Sequence, residues 1–311
     1  MCRRPTEYIR RSSIMSEINK LHHRFCQYSL TFKGNTPRTI KWFQNDFRWF
    51  QRFAHIEKIE ELTKQIIEDW IYKGKLENNW AATTIRLRLS SLSLFLDWCV
   101  NEDIIDANPC KRIPKPKLPQ RLPKSLTKTQ TEHLLDWTKN FSFTYKFERL
   151  RAIAIIATFL YTGIRKAELT NLKLIDVDLE NRTLYVRLGK CGKDRILPLH
   201  PLLIEILADY IKDRKRLKKF CPYFFTSLIN DDKMGESVIK RLVEKLRSKS
   251  GIYFYPHILR HTFATLMLEG GCNLFALSKM LGHSDIKTTT IYLGASKAHL
   301  EEQISKHPIN F

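Results

Sequence analysis

The sequence predicts a mainly α protein with a small β-sheet, organised as two domains joined by a basic, proline-rich linker. Three observations carry this expectation. Apolar residues recur at helical spacing in both halves of the chain. The period changes to strict alternation at Thr183-Leu184-Tyr185-Val186-Arg187-Leu188. Residues 109–123 (PCKRIPKPKLPQRLP) hold five prolines and five basic residues without one acid. At 311 residues, 43% hydrophobic and 11% aromatic, the chain is long enough to bury two cores.

Residues 16–108 form the first expected domain, a bundle of four helices, with stripes such as Ile40, Phe43, Phe47, Phe50 and Ile85, Leu89, Leu92, Phe95, Leu96. Thr36-Pro37 opens the second helix, Thr83 caps the fourth, and Asn108-Pro109 stops it. The 109–123 segment suits an extended strap along phosphates, and it suits an ordinary solvated linker as well. Residues 124–311 form the second domain, started by a cap at Ser125 or Thr127. The apolar run Ala152 to Ile164 reads as a buried core helix, because spanning a bilayer takes about 20 residues. Gly189-Lys190-Cys191-Gly192 then reads as a turn and Arg195 to Leu199 as the returning strand, with Pro198 confining it to an edge. Lys190 therefore sits at a hairpin tip. The remainder is helical, broken at Asn230-Asp231 and Gly270-Gly271.

Lys and Arg outnumber Asp and Glu by 53 to 32, a formal charge of +21, which favours a polyanionic partner and above all nucleic acid. The seven cysteines are scattered and never spaced as CxxC, so neither a disulfide framework nor a zinc knuckle is indicated. A reducing, cytoplasmic setting fits this usage. Met1 to Ile14 is basic and lacks the apolar stretch of a secretory signal, and Met15 is an alternative start.

Four segments of the second half stand out: Thr162-Gly163-Ile164-Arg165-Lys166-Ala167-Glu168, the Gly189-Lys190 turn, Pro256-His257-Ile258-Leu259-Arg260-His261, and Leu281-Gly282-His283 followed nine residues on by Tyr292. Arg165 and Arg260 carry guanidinium forks that pair bidentately with phosphate and stay charged at any working pH. His257 and Arg260, at i and i+3 just after Pro256, share one face near the positive end of a helix. Taken alone, Tyr292 reads as a core aromatic.

In order and spacing these segments resemble the tyrosine recombinase (phage integrase) family. The helical first half and basic linker are similar to that family's core-binding domain and linker. The resemblance implies a SAM-like helical core-binding domain and an α+β catalytic domain that together form a C-shaped clamp on DNA. It implies that Tyr292 is the nucleophile, leaving a 3′-phosphotyrosine and a free 5′ hydroxyl. Arg165 and Arg260 would clamp the scissile phosphate, His283 would hydrogen-bond it, and His257 would assist proton transfer at the tyrosine. Lys190 would protonate the departing 5′ oxygen, although Lys193 lies in the same turn. Glu168 would orient a basic neighbour. No cofactor and no metal are needed, because the phosphotyrosine keeps the energy of the broken bond. The implied partners are double-stranded DNA, further copies of the chain assembled as a tetramer on paired sites, and accessory proteins. The setting would be the nucleoid of a prokaryotic cell. The segment from Lys297 to Phe311, with Leu300, Ile304 and an apolar end, would dock on a neighbouring protomer.

Other readings compete with parts of this one. His257, His261 and His283 could ligate zinc, but the glutamate position of an HExxH helix holds Ile258 and Arg260 would repel a dication. The alternatives are a DNA-binding accessory protein with this fold that no longer cuts, and a type IB topoisomerase, which uses related chemistry without partner-dependent strand exchange. Lys212, Arg214, Lys215, Arg216, Lys218 and Lys219 form a further basic run, and Arg86 and Arg88 are candidate base readers.

Overall fold

The structure is a computed structural model and describes residues 16–118, 123–187, 194–283 and 285–293. Among these are twelve α-helices and one three-stranded sheet. The chain divides into two units between residues 120 and 121.

Unit 1 contains α1 (Glu17–Thr31), α2 (Pro37–Ala54), α3 (Lys64–Glu77) and α4 (Ala82–Asn101). The Thr36 hydroxyl accepts the Thr39 amide and Pro37 occupies the first helical position, so α2 starts where the sequence places it. The fourth helix differs from expectation at both ends. Its N-cap is Ala81, with Thr83 inside the first turn. It ends at Asn101, where Asp103 turns left-handed (φ 54°) and the Ile104 amide reaches back to the Cys99 carbonyl. Asn108-Pro109 instead opens a short 3-10 turn, Pro109–Arg112.

The core of unit 1 is aromatic. Phe25, Phe43, Phe47, Phe50, Trp70, Phe95 and Trp98 are all buried, and His22 stacks on Phe47 at 4.0 Å. Arg88 does not face outward as a base reader would. Its guanidinium lies 4.1 Å over the Trp80 ring and 3.7 Å from Asp46, because the polar position at 88 falls on the inward face of α4. Arg86 donates to the Pro116 carbonyl at 3.4 Å, which ties part of the proline-rich segment to α4.

Unit 2 contains α5 (Lys128–Asn140), α6 (Lys146–Thr162), α7 (Lys166–Asn171), β1 (Val177–Asp178), β2 (Thr183–Val186), β3 (Arg195–Pro198), α8 (Pro201–Arg216), α9 (Glu236–Ser250), α10 (Pro256–Glu269), α11 (Leu274–Leu281) and α12 (Lys287–Thr290). Thr127 and Gln130 close a capping box at the start of α5. Arg151 through Leu160 are buried along α6, which packs against α5, α8 and α10 as the unit's central rod. The strands are antiparallel in the order β1-β2-β3 and pair Leu184 with Leu197 and Val186 with Arg195. Pro198 closes the edge strand β3, where its missing N–H disrupts no ladder. The two-residue strand β1 is too short to show alternation in the sequence.

The basic run at the end of α8 is partly structural. Arg214 is buried and donates to the Cys221 carbonyl, Arg216 pairs with Asp213 at 2.7 Å, and Lys219 donates to the Leu228 and Asn230 carbonyls. No helix of the described residues is long and apolar enough to cross a membrane.

Candidate active site

The site is assembled from three breaks in helical structure. The first is the end of α6, where Gly163 adopts φ +60° and caps the helix with its amide on the Phe159 carbonyl. A glycine is required on two counts. The left-handed conformation disfavours a side chain, and a Cβ here would stand 2.4 Å from Phe263 Cδ1. This tight turn leaves the Gly163 carbonyl free for Arg260 and makes Arg165 the N-cap of α7.

Arg165 is bound twice to Glu168. Its backbone amide donates to Oε2 at 2.8 Å, and its Nη1 donates to Oε1 at 2.8 Å. Arg165 Nη2 donates to the Gly282 carbonyl at 3.4 Å. Burial alone would raise the Glu168 carboxyl, but hydrogen bonds and charge from Arg195 and Arg165 outweigh it and hold the group down to about 2. Glu168 thus remains an anion that aims two guanidinium groups.

The second break is the start of α10, with Pro256 at its first position. Arg260, 4% exposed, donates from Nη1 to the Gly163 carbonyl at 2.6 Å and from Nη2 to the Leu281 carbonyl at 2.6 Å. Burial and the neighbouring Arg165 lower its pKa to about 10, which still leaves it fully charged at neutral pH. The third break is the end of α11, where Gly282 (φ +63°) turns the chain and presents His283. Arg260 Nη2 also lies 3.1 Å from His283 Nε2.

An arginine can only donate, so His283 Nε2 accepts, and the proton sits on Nδ1 and points to Thr289 Oγ1 at 2.8 Å. Burial and then Arg260 push His283 down to about 4, in agreement with a neutral ring. Arg260 spends three of its five N–H groups on these partners and keeps two for an anion.

Tyr292 is 2% exposed and packs among Phe263, Ala264, Leu268, Leu277 and Leu281. Its hydroxyl lies 2.8 Å from Nδ1 of His261, not from His257. Burial raises the Tyr292 phenol, with partial opposition from Arg260 and Arg165, so the hydroxyl is protonated. His257 is exposed one helical turn before His261. Its pKa is lowered by partial loss of water, then by Arg260, Arg165 and Lys166.

Arg165, Arg260 and His283 are therefore brought together, with Tyr292 close enough to feel both arginines. Lys190, Lys193 and the segment from Lys297 to Phe311 lie outside the described residues. The sequence marks two further participants only indirectly: His261 shows there as a possible metal ligand, and Arg195 as a strand residue. The i+4 spacing from His257 to His261 was visible, but its partner comes from another segment. Among the described residues, no cluster of three or more His, Cys, Asp or Glu side chains is placed to hold a metal ion.

Known proteins resemble this chain over most of its length. Residues 124–299 match the model of the Phage integrase family. The tyrosine recombinase XerC of Thermodesulfovibrio yellowstonii is 33% identical over 89% of this chain and 93% of its own length. The crystal structure of XerA recombinase is 28% identical with a TM-score of 0.54, covering 95% of this chain and 100% of that one. The Tn1549 transposon integrase in complex with circular intermediate DNA shares the fold, with a TM-score of 0.72 at 21% identity over 91% of this chain and 98% of that one. The chain belongs to the phage integrase family and is a site-specific tyrosine recombinase.

Proposed function

We propose that the protein cuts and rejoins duplex DNA at a specific site, with Tyr292 as nucleophile and the Arg165–Arg260–His283 cluster as the phosphate clamp. The observation that carries this reading is a charge imbalance. Arg165 and Arg195 share the single carboxylate of Glu168, Arg260 lies close enough to feel its charge, and buried or part-buried hydrogen bonds hold all three guanidinium groups. The excess of +2 suits a phosphodiester, whose charge grows from −1 toward −2 as a fifth oxygen approaches phosphorus. Donors already locked in place need no rearrangement as that charge develops.

In the reaction, the Tyr292 hydroxyl loses its proton and its oxygen attacks phosphorus. The bond to the 5′ oxygen breaks, that oxygen takes a proton, and a 3′-phosphotyrosine remains. His261 and His257, on the same face of α10, supply acceptors for the phenol proton. Lys190 is assigned as the donor to the 5′ oxygen. Once phosphate is present it competes for the Arg260 fork. His283 then serves the phosphate as a donor from Nε2, which requires a proton on that nitrogen. Rejoining is the reverse attack by a 5′ hydroxyl from the same or a partner duplex, with no ATP and no metal.

DNA is the partner that the +21 charge fits, with the helical unit of residues 16–108 as a separate DNA-binding domain and residues 109–123 as the linker to the catalytic domain at 124–311. Strand exchange needs four active sites, which calls for a tetramer on paired sites, working in the cytoplasm and open to accessory proteins. The target can be recovered by covalent capture from a randomised duplex library. Two plasmid copies of that site should then recombine, whereas relaxation of a supercoiled plasmid without strand exchange would assign the chain to topoisomerase chemistry instead.

A further inference from the structure

We infer that Arg195 is a positioning residue for the phosphate clamp: it shares Glu168 with Arg165 and braces the loop that carries His283. Arg195 comes from β3, an edge strand with no other part in the site. Its side chain is 8% exposed. Nη1 and Nη2 grip the two oxygens of Glu168 at 3.0 and 2.8 Å, and Nε donates to the Met280 carbonyl at 2.8 Å. One guanidinium thus joins the segment after α6 to the end of α11.

The accounting of lone pairs shows why this matters. A carboxylate offers about four acceptor positions. Glu168 fills them with two bonds from Arg195 and two from Arg165, one of the latter being a backbone amide. Without Arg195, two positions open on a carboxylate whose side chain is 7% exposed, and the nearest remaining cation is Arg165. Arg165 would be drawn from a single bond into a bidentate grip, and its donors would turn from the phosphate to Glu168.

The backbone of the third segment is shaped around the same side chain. A Cβ at Gly282 would stand 3.0 Å from Arg195 Cδ and 3.1 Å from its Nη1. Gly282 immediately precedes His283, and its carbonyl accepts Arg165 Nη2. Arg195 therefore lies flat on the turn that aims His283. Its charge is also unfavourable to its neighbours, since it lowers the pKa of both Arg260 and His283. Holding a third guanidinium here is justified by the anion the cluster receives. Arg195 itself is spent on Glu168 and Met280 and acts through Arg165 and His283.

This inference rests on the clamp reading, and the test separates the two. Cleavage by the full chain is timed on a suicide duplex with an ordinary scissile phosphate, and on one with a scissile methylphosphonate, in which a methyl group replaces the charged non-bridging oxygen. Arg165→Ala tests the clamp: it should lose about 100-fold or more on phosphate and much less on methylphosphonate, where there is less charge to neutralise. Arg195→Gln should lose about 10- to 100-fold on phosphate and shrink to within about 3-fold of wild type on methylphosphonate. Arg195→Lys keeps the charge without the fork and should fall between them on phosphate. An Arg195→Gln defect that is equal on both substrates, or absent on phosphate, overturns the positioning role while leaving the clamp intact. Should Arg195→Gln fail to fold, Arg195→Lys is judged by the same ratio. An Arg165→Ala defect undiminished on methylphosphonate overturns the clamp itself, and the inference with it.

Discussion

Replacing Gly163 by alanine tests how tightly the end of α6 is coupled to the site. The residue sits at φ +60°, where a non-glycine side chain costs roughly 1–2 kcal/mol. The new Cβ would lie 2.4 Å from Phe263 Cδ1 and 3.1 Å from Leu281 Cδ2, so a buried ring must move, and overpacking of this kind costs about 1–3 kcal/mol. The two terms together predict a loss of about 2–5 kcal/mol, a large part of a typical domain's stability. The effect should also reach the chemistry, because the Gly163 carbonyl anchors Arg260 Nη1. Urea unfolding of Gly163→Ala, Phe263→Leu and the double variant measures the steric part separately. Phe263→Leu alone should cost about 1–2 kcal/mol, and the double variant should be more stable than the sum of the singles by at least about 1 kcal/mol, since leucine vacates the ring edge that the Cβ meets. Additive losses, or a Gly163→Ala protein within about 1 kcal/mol of wild type, would refute this account of the turn.

Other residues give independent checks. His22 is buried and its pKa is held down to about 3, by burial first and then by His23, from an ordinary 6.5. Because the folded value is the lower one, the neutral ring's contribution is complete above about pH 6.5 and is lost as pH falls from there toward 3. Unit 1 should lose about 2 kcal/mol between pH 7 and pH 5, a dependence that His22→Phe should largely remove in urea unfolding. Arg88→Met leaves the half-buried Asp46 without its cation and should cost about 1–3 kcal/mol, while Asp46→Leu with Arg88→Met recovers most of it and the preferred DNA site stays the same. A change in site preference from the double variant would restore Arg88 as a base reader. His261→Ala removes the hydrogen-bond partner of the Tyr292 hydroxyl and should speed nitration of Tyr292 in the free protein, as read by peptide mass; unchanged labelling would show that packing alone shields it.

The parts of this molecule that were legible in the sequence are those written in local patterns. Thr36-Pro37 and the Thr127 capping box announce helix starts because capping acts over three residues. The α6 core helix and the pairing of β2 with β3 are stated by composition and period. What escaped depends on partners distant in the chain. Arg195 reads as an ordinary strand residue until Glu168 and Met280 are brought to it, and His261 reads as a neighbour of His257 until Tyr292 arrives. Charge runs mislead for the same reason. Nothing near Arg214 in sequence says that it turns inward to the Cys221 carbonyl, or that Arg88 is roofed by Trp80. The α4 end was misplaced because Pro109 is a strong stop signal, whereas the left-handed turn at Asp103 leaves only a weak one.

In the proposed reaction Tyr292, buried at rest beside His261, becomes covalently joined to DNA. Incubation with a nicked suicide duplex carrying the captured site, followed by denaturing electrophoresis and peptide mapping, measures this directly. A protein–DNA adduct on the peptide containing Tyr292 should form without added metal and disappear in Tyr292→Phe, while that variant still shifts the duplex in a native gel. An adduct of equal yield from Tyr292→Phe, or its mapping to another residue, would rule out Tyr292 as the nucleophile.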